Sequence, residues 1–239
     1  FRSSFTPDGY PLVGESRRVA GFWVAEAVWI THSQGVARAV ADLLVDGHAG
    51  LDLHELDLHR FEPHQVEPGY VDARGRQGYI EVYDVIHPLQ PMEDPRPLRT
   101  SPFHPRQEAL GARFLEGGGW ERPQWYEANA PLLARHPAGG RGEWASRFWS
   151  PIAGAEAVAT REGVALYDLT PLTRIEVSGP GAAAYLQRMT TNDVDRPVGT
   201  VVYTLMLDEA GGIRSDLTVA RLAEDRFQVG ANGPLDVDR

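Results

Sequence analysis

A phenol and a carboxylate on adjoining strands are the first residues in this chain whose types and spacing could do chemistry. In "GGIRSDLTVARL", Gly211 to Leu222, apolar and polar residues alternate: Ile213, Leu217 and Val219 take one side, Arg214, Asp216 and Thr218 the other. That period of two marks a half-buried strand. "VVYTLML", Val201 to Leu207, is a second strand, and the glycine-containing turn "DEAGG" between them makes the pair a hairpin. Asp216 sits at the centre of its strand, where strand propensity disfavours a carboxylate. Either it faces water, as most charged residues do, or it points into a pocket. The hairpin pattern puts Tyr203 beside it, so both could line one cavity. There the carboxylate, with a reference pKa near 4, is ionised at neutral pH. Partial burial would raise that value and make it a better base.

Other chemistry is thinner. His54, His59 and His64 recur every five residues, which keeps them off a common helix face and alternates their side on a strand. No metal site is assigned to them. The chain has no cysteine, hence no disulfide, thiolate metal site or cysteine nucleophile, which suits a reducing compartment such as the cytoplasm. One further arrangement can hold a ligand. "GFWVAEAVWI" reads as a buried strand running into a loop, and "THSQGVARAVADLLVDG" as an amphipathic helix with Val36, Val40, Leu43 and Leu44 on one face. Thr31 or Ser33 is available as its N-cap and Gly47 stands just past its end. Strand, short loop and helix together present free backbone N–H groups.

These pieces must be held by an ordinary soluble chain. At 239 residues it has room for one large domain or two small ones, and its 42% hydrophobic and 23% charged residues are typical of globular proteins. A net charge of −10 without a basic stripe makes nucleic acid an improbable partner. No apolar run approaches bilayer-crossing length, and the start "FRSSFTPDGYP" lacks the pattern of a signal peptide. "FTPDGYPLVGE" opens with a type I turn, Pro7 second and Gly9 fourth, before a short strand at Tyr10 to Val13. From His48 to about Gln90 the periodicity weakens, "QGYIEVYDVIHP" reading as a short helix stopped by Pro88. "PLQPMEDPRPLRTSPFHP" is an extended connector. "PRQEALGARFLEGGGW" reads as a helix closed by three glycines, and "ARHPAGGRGEWA" as a surface loop. The last third is better organised: a helix in "GAEAVATREGVALYDLT" ended by Gly163 and followed by a short apolar strand, a strand in "TRIEVSG", a helix behind Pro180, the hairpin, and a strand beginning in "FQVGANG". The sheet stops in mid-meander, which reads as a fragment with an uncovered apolar edge that invites association.

Three segments, in order, resemble one family. "FTPDGYPLVGE…GFWVAEAVWITHSQGVARAVADLLVDG" resembles the C-terminal part of the FAD domain in glycine-oxidase-like amine oxidoreductases. "REGVALYDLTPLTRIEVSGPGAAAYLQRMTTNDV…YTLMLDEAGGIRSDLTVARL" resembles the front of the folate-binding aminomethyltransferase domain of the glycine-cleavage T-protein. The stretch between resembles the linker of the family of dimethylglycine oxidase and the dimethylglycine and sarcosine dehydrogenases. The resemblance implies an α+β chain: residues 1–47 the end of a FAD domain, 48–149 an interdomain linker, and 150–239 the N-terminal part of an aminomethyltransferase-type domain. It implies FAD and tetrahydrofolate as cofactors, an N-methyl amine such as dimethylglycine or sarcosine as substrate, and O2 or an electron-transfer flavoprotein as oxidant. The FAD domain would take a hydride from the amine, and tetrahydrofolate would capture the one-carbon unit as 5,10-methylenetetrahydrofolate. Carried over residue by residue, Val28, Trp29, Ile30 and Thr31 match the stretch that contacts the flavin ring, Asp216 the catalytic aspartate and Tyr203 a tyrosine that contacts the pterin. The pattern departs from the family at one point: no G-x-G-x-x-G fingerprint opens the chain, so the FAD pyrophosphate has no cradle here. The flavin-linking histidine and the substrate tyrosine are expected upstream and are not assigned to His32, Tyr10 or any other residue. On this reading the isolated chain is catalytically incompetent. Two rivals remain open: a folate-family binding module without turnover, and a dehydrogenase that does not use O2.

Overall fold

Alternation of apolar and polar residues builds the part of the molecule that matters most here, a four-stranded antiparallel sheet. The computed structural model describes residues 4–233. Contacts divide the chain into two compact units, with boundaries at Arg96/Pro97, Gly140/Arg141 and Trp149/Ser150, the stretch Arg141–Trp149 going with the first unit.

In the first unit, the hydrogen bond from Gly9 N–H to Thr6 O (3.2 Å) closes the expected opening turn. Strands β1 (Leu12–Glu15) and β2 (Trp23–Glu26) form a two-stranded sheet. The second of these is half exposed rather than buried. Helix α1 (Ser33–Asp46) buries Val36 and Ala39 and ends at Gly47, whose φ of 77° is the left-handed C-cap that glycine adopts without a Cβ clash. Neither Thr31 nor Ser33 caps its start: the N-cap is His32, no side chain bonds the first amides, and the Ser33 hydroxyl donates to Ile30 O (2.8 Å). Helix α2 (Pro68–Glu81) is longer than expected and buries no residue. It stops before Pro88 because the chain turns at Glu81–Asp84. Much of this unit is tied by one cation. Arg60, whose side chain is 4% exposed, reaches both carboxylate oxygens of Asp8 (2.7 and 2.8 Å) and the carbonyls of Tyr10 and Asp57 (both 3.0 Å).

The second unit corrects two readings. The helix expected before the three glycines is only α3 (His104–Ala109); the chain then forms a hairpin of β3 (Ala112–Gly117) and β4 (Trp120–Tyr126). Gly118 and Gly119, at φ 61° and 81°, supply the two positive-φ positions of its tight turn. After the short helix α4 (Glu143–Ser146) of the first unit comes α5 (Pro151–Glu162), N-capped by the Ser150 hydroxyl and followed by Gly163 as expected. The short apolar strand expected after Gly163 does not form: Val164 to Leu169 have no regular structure and pair with no strand, and Val164 and Leu166 are almost fully exposed.

Strands β5 (Thr173–Ser178), β6 (Val201–Leu207), β7 (Ile213–Ala223) and β8 (Arg226–Ala231) pair in the order β5-β8-β7-β6. One face packs on α6 (Ala182–Met189) around a cluster of Ala182, Leu186, Val194, Leu217, Val219, Phe227, Val229 and Ala231. Ser215 rather than Ile213 continues the buried row of β7; Ile213 lies beyond a register shift and is exposed. Arg221 fastens the loop that leads into β6. It donates to Asp195 Oδ1 (2.6 Å), Arg196 O (2.8 Å) and Glu224 O (2.7 Å), and its guanidinium lies over the Phe227 ring.

Candidate functional site

With one sheet face committed to the core, every second residue must stand on the other. The strand register sorts them into rows. Leu205 pairs with Asp216 on β6 and β7, and Asn232 follows directly after β8. In the next row Tyr203 pairs with Thr218, Thr218 with Gly230, and Gly230 with Arg174.

Asp216 and Tyr203 are therefore on the open face, and they touch. The Tyr203 hydroxyl donates to Asp216 Oδ2 at 3.2 Å. Asn232, absent from the residues singled out in the sequence, donates from Nδ2 to Asp216 Oδ1 at 2.7 Å and to the Asp216 carbonyl at 3.0 Å. Asn192 donates to the carbonyl of Tyr203 at 3.0 Å, holding that strand from the other side. The carboxylate is exposed rather than partly buried, so the expected tuning by burial is not what this face supplies. Desolvation, then the hydrogen bond and the charge from Asp216, raise the Tyr203 pKa above its ordinary value. With 59% of Tyr203 in solvent, we regard the carboxylate as the effective cause. Gly230 keeps the face low beside this cluster: a Cβ there would come within 2.5 Å of Thr218 Oγ1. A phenol, a carboxylate and an amide converging beside a bare stretch of backbone can hold a flat, hydrogen-bonding ring. A pterin fits that description.

The loop before α1 is also open. Val28 and Trp29 are half-buried, Thr31 is exposed, and Ile30 is 92% exposed at the start of a single 3-10 turn, Ile30–His32. Trp29 packs edge-on to Phe5 (ring centroids 6.2 Å apart) and lines a cleft of about 250 Å³ with Arg74 and Glu81. The α1 amides carry no side-chain cap, so an electron-rich ring edge is a suitable partner for them.

A second cleft, of about 630 Å³, was not foreseen. Tyr126, Asn129, Glu156 and Asp168 line it together with the irregular Val164–Leu169 segment. Glu156 Oε1 accepts from the Tyr126 amide (2.9 Å) and Asn129 Nδ2 (2.7 Å). Desolvation pushes the Asp168 carboxyl up, but hydrogen bonds from Ser101, Thr170 and Gln107 outweigh it and hold the group below its ordinary value. Tyr126 is raised by desolvation and by the charges of Glu156 and Asp168. Among the described residues no group of histidine, aspartate and glutamate is placed to hold a metal ion, and no helix is long and apolar enough to cross a membrane.

Comparison with known proteins finds two family matches in succession along the chain. Residues 46–101 match the FAD dependent oxidoreductase central domain and residues 103–237 the GCVT N-terminal domain. The chain is 36% identical over 229 residues to 4-methylaminobutanoate oxidase (formaldehyde-forming) of Paenarthrobacter nicotinovorans, covering 95% of this chain and 27% of that protein. It is 33% identical to the mitochondrial pyruvate dehydrogenase phosphatase regulatory subunit of Mus musculus, over 94% of this chain and 26% of the relative. To human mitochondrial sarcosine dehydrogenase it is 29% identical, over 92% and 26%. The chain thus spans about a quarter of the length of these relatives. The mixed helix-and-sheet architecture and the order of the two matches agree with the sequence reading, and the pairing implies FAD and tetrahydrofolate as cofactors. By a match covering more than half of its residues, the chain belongs to the GCVT N-terminal domain family.

Proposed function

We propose that this sequence works within a bifunctional oxidoreductase that demethylates an N-methyl amino acid, such as dimethylglycine or sarcosine, and delivers the one-carbon unit as 5,10-methylenetetrahydrofolate. The observation that carries this reading is the Asp216–Tyr203–Asn232 cluster on the open sheet face. When bound, FAD supplies the hydride acceptor and tetrahydrofolate the one-carbon acceptor. Asp216 then accepts a hydrogen bond from a ligand amine and takes up the proton lost as the new N–C bond forms. Tyr203 and Asn232 fix the carboxylate in place, the phenol being a donor at neutral pH as any tyrosine is. Val28, Trp29, Ile30 and Thr31 would hold the flavin ring, and the uncapped start of α1 would favour an electron-rich ring by about 0.3–1 kcal/mol per interaction. The two electrons held by a reduced flavin would pass, with two protons, to O2 to give hydrogen peroxide, or to an electron-transfer flavoprotein. The absence of cysteine suits the cytoplasm or another reducing compartment.

Asp216→Asn in the full-length protein tests the assignment. Amine oxidation should persist while folate-dependent product disappears; equal loss of both activities overturns the role. The likeness to a regulatory subunit favours a second reading, a folate-family module without turnover. Peroxide or reduced carrier formed on adding sarcosine or dimethylglycine would exclude it.

A further inference from the structure

We propose that Arg174 is a carboxylate receptor on the same sheet face as Asp216, serving the anionic end of a ligand whose ring sits at the Asp216 cluster. The inference rests on the folate reading above and adds a binding residue to it.

Arg174 is the second residue of β5, the edge strand, and its alternation with the half-buried Ile175 and Val177 puts it on the open face. It closes the row that begins with Tyr203. At about 4.8 Å per strand, three steps place its backbone about 14 Å from that of Tyr203. Only Thr218 and Gly230 stand between, so the row has a phenol at one end, a guanidinium at the other and little height in the middle.

The guanidinium is held, but only by one nitrogen. Nη1 donates to Leu172 O (2.8 Å) and Leu169 O (3.3 Å). Those two bonds use both Nη1 protons and anchor the plane. The Nε–H and Nη2–H edge, the fork that grips a carboxylate with two parallel bonds, has no partner among the described residues. Among the described residues no ion pair joins it to Glu176, next along the same face of the same strand. An anchored cation left unpaired in a chain of net charge −10 is a site prepared for an anion.

The glutamate tail of a folate is long enough to span that row; the acid group of an N-methyl amino acid, one carbon from its amine, is not when that amine sits at Asp216. One set of measurements tests this. Binding of 5-formyltetrahydrofolate and of 5-formyltetrahydropteroate, which lacks the glutamate, is measured by calorimetry on the full-length wild type, Arg174→Gln and Arg174→Lys. Folate-dependent product formation is measured in parallel with sarcosine and with dimethylamine, which has no carboxylate. If the tail is the ligand, Arg174→Gln weakens only the glutamate-bearing compound, roughly tenfold, and Lys restores part of it. A selective loss of sarcosine turnover with dimethylamine unchanged would put the amino acid's own carboxylate at Arg174 and overturn the assignment to a folate tail. Equal loss for partners with and without a carboxylate would mean that Arg174 merely holds Leu169 and Leu172, and no loss for any would mean that it does nothing here; either overturns the proposal. A wild type that binds neither folate overturns the folate reading itself, and this inference with it.

Discussion

The two units solve the same problem with different chemistry. The β5–β8 sheet closes over hydrocarbon: Phe227 is wholly buried, and Val194, Val219, Leu186 and Ala182 surround it. The first unit has few such residues, chiefly Val13, Val36, Ala39 and Met92, and its second helix contributes none. There, a single guanidinium carries four carbonyl and carboxylate contacts across loops that have no regular structure. An apolar core tolerates variation in its outward residues, which leaves the opposite sheet face free to carry a site. A polar knot depends on every partner, and gives less freedom to the residues that form it.

The largest effect should come from the apolar side. Phe227→Ala removes the centre of the cluster and is expected to cost about 3–5 kcal/mol by denaturant unfolding. Arg60→Met should cost less, about 1–3 kcal/mol, because Asp8 is a third exposed and regains water when its partner goes. A larger loss for Arg60 than for Phe227 would break the comparison. Gly47→Ala forces a Cβ into left-handed backbone at the end of α1 and should cost about 1 kcal/mol.

Two pH effects are smaller and sharpen the contrast between the core and the open face. The Asp168 carboxyl is held below its ordinary pKa, so its contribution is complete above that ordinary value and is lost as pH falls through the folded one. Asp168→Asn should flatten this acid limb in melting temperatures recorded from pH 6 to 3. The Tyr203 phenol is raised, so its contribution is complete below its ordinary pKa and fades as pH climbs through the folded one. Ultraviolet titration of the phenolate should show this late ionisation, and Asp216→Asn should bring it earlier.

How much of this the chain announces in advance depends on how local each cause is. The β6–β7 hairpin, α1 with its terminal glycine, β5 and α6 are each written in a short periodic stretch, and each is found where expected. The meeting of Tyr203 with Asp216 was legible for the same reason, since adjoining strands of one hairpin need no distant information. The α2 helix was only partly legible because it has no buried stripe to impose a period. In "ARFLEGGGW" the glycines looked like a helix stop, whereas pairing with β4 turned them into a hairpin corner. Asn232 and Arg174 required the order β5-β8-β7-β6, in which the first strand pairs with the last; alternation alone gives their side but not their neighbours.

The Arg221 fastening has a consequence for how the molecule breathes. The stretch from Asp193 to Thr200 contains no helix or strand, yet its anchor points, Asp195 and Arg196, are tied to a residue of β7 whose guanidinium rests on the most deeply buried ring. Loosening that stretch means lifting the guanidinium from Phe227, so its amides should exchange with deuterium together with those of β7, on the timescale of sheet opening instead of loop fraying.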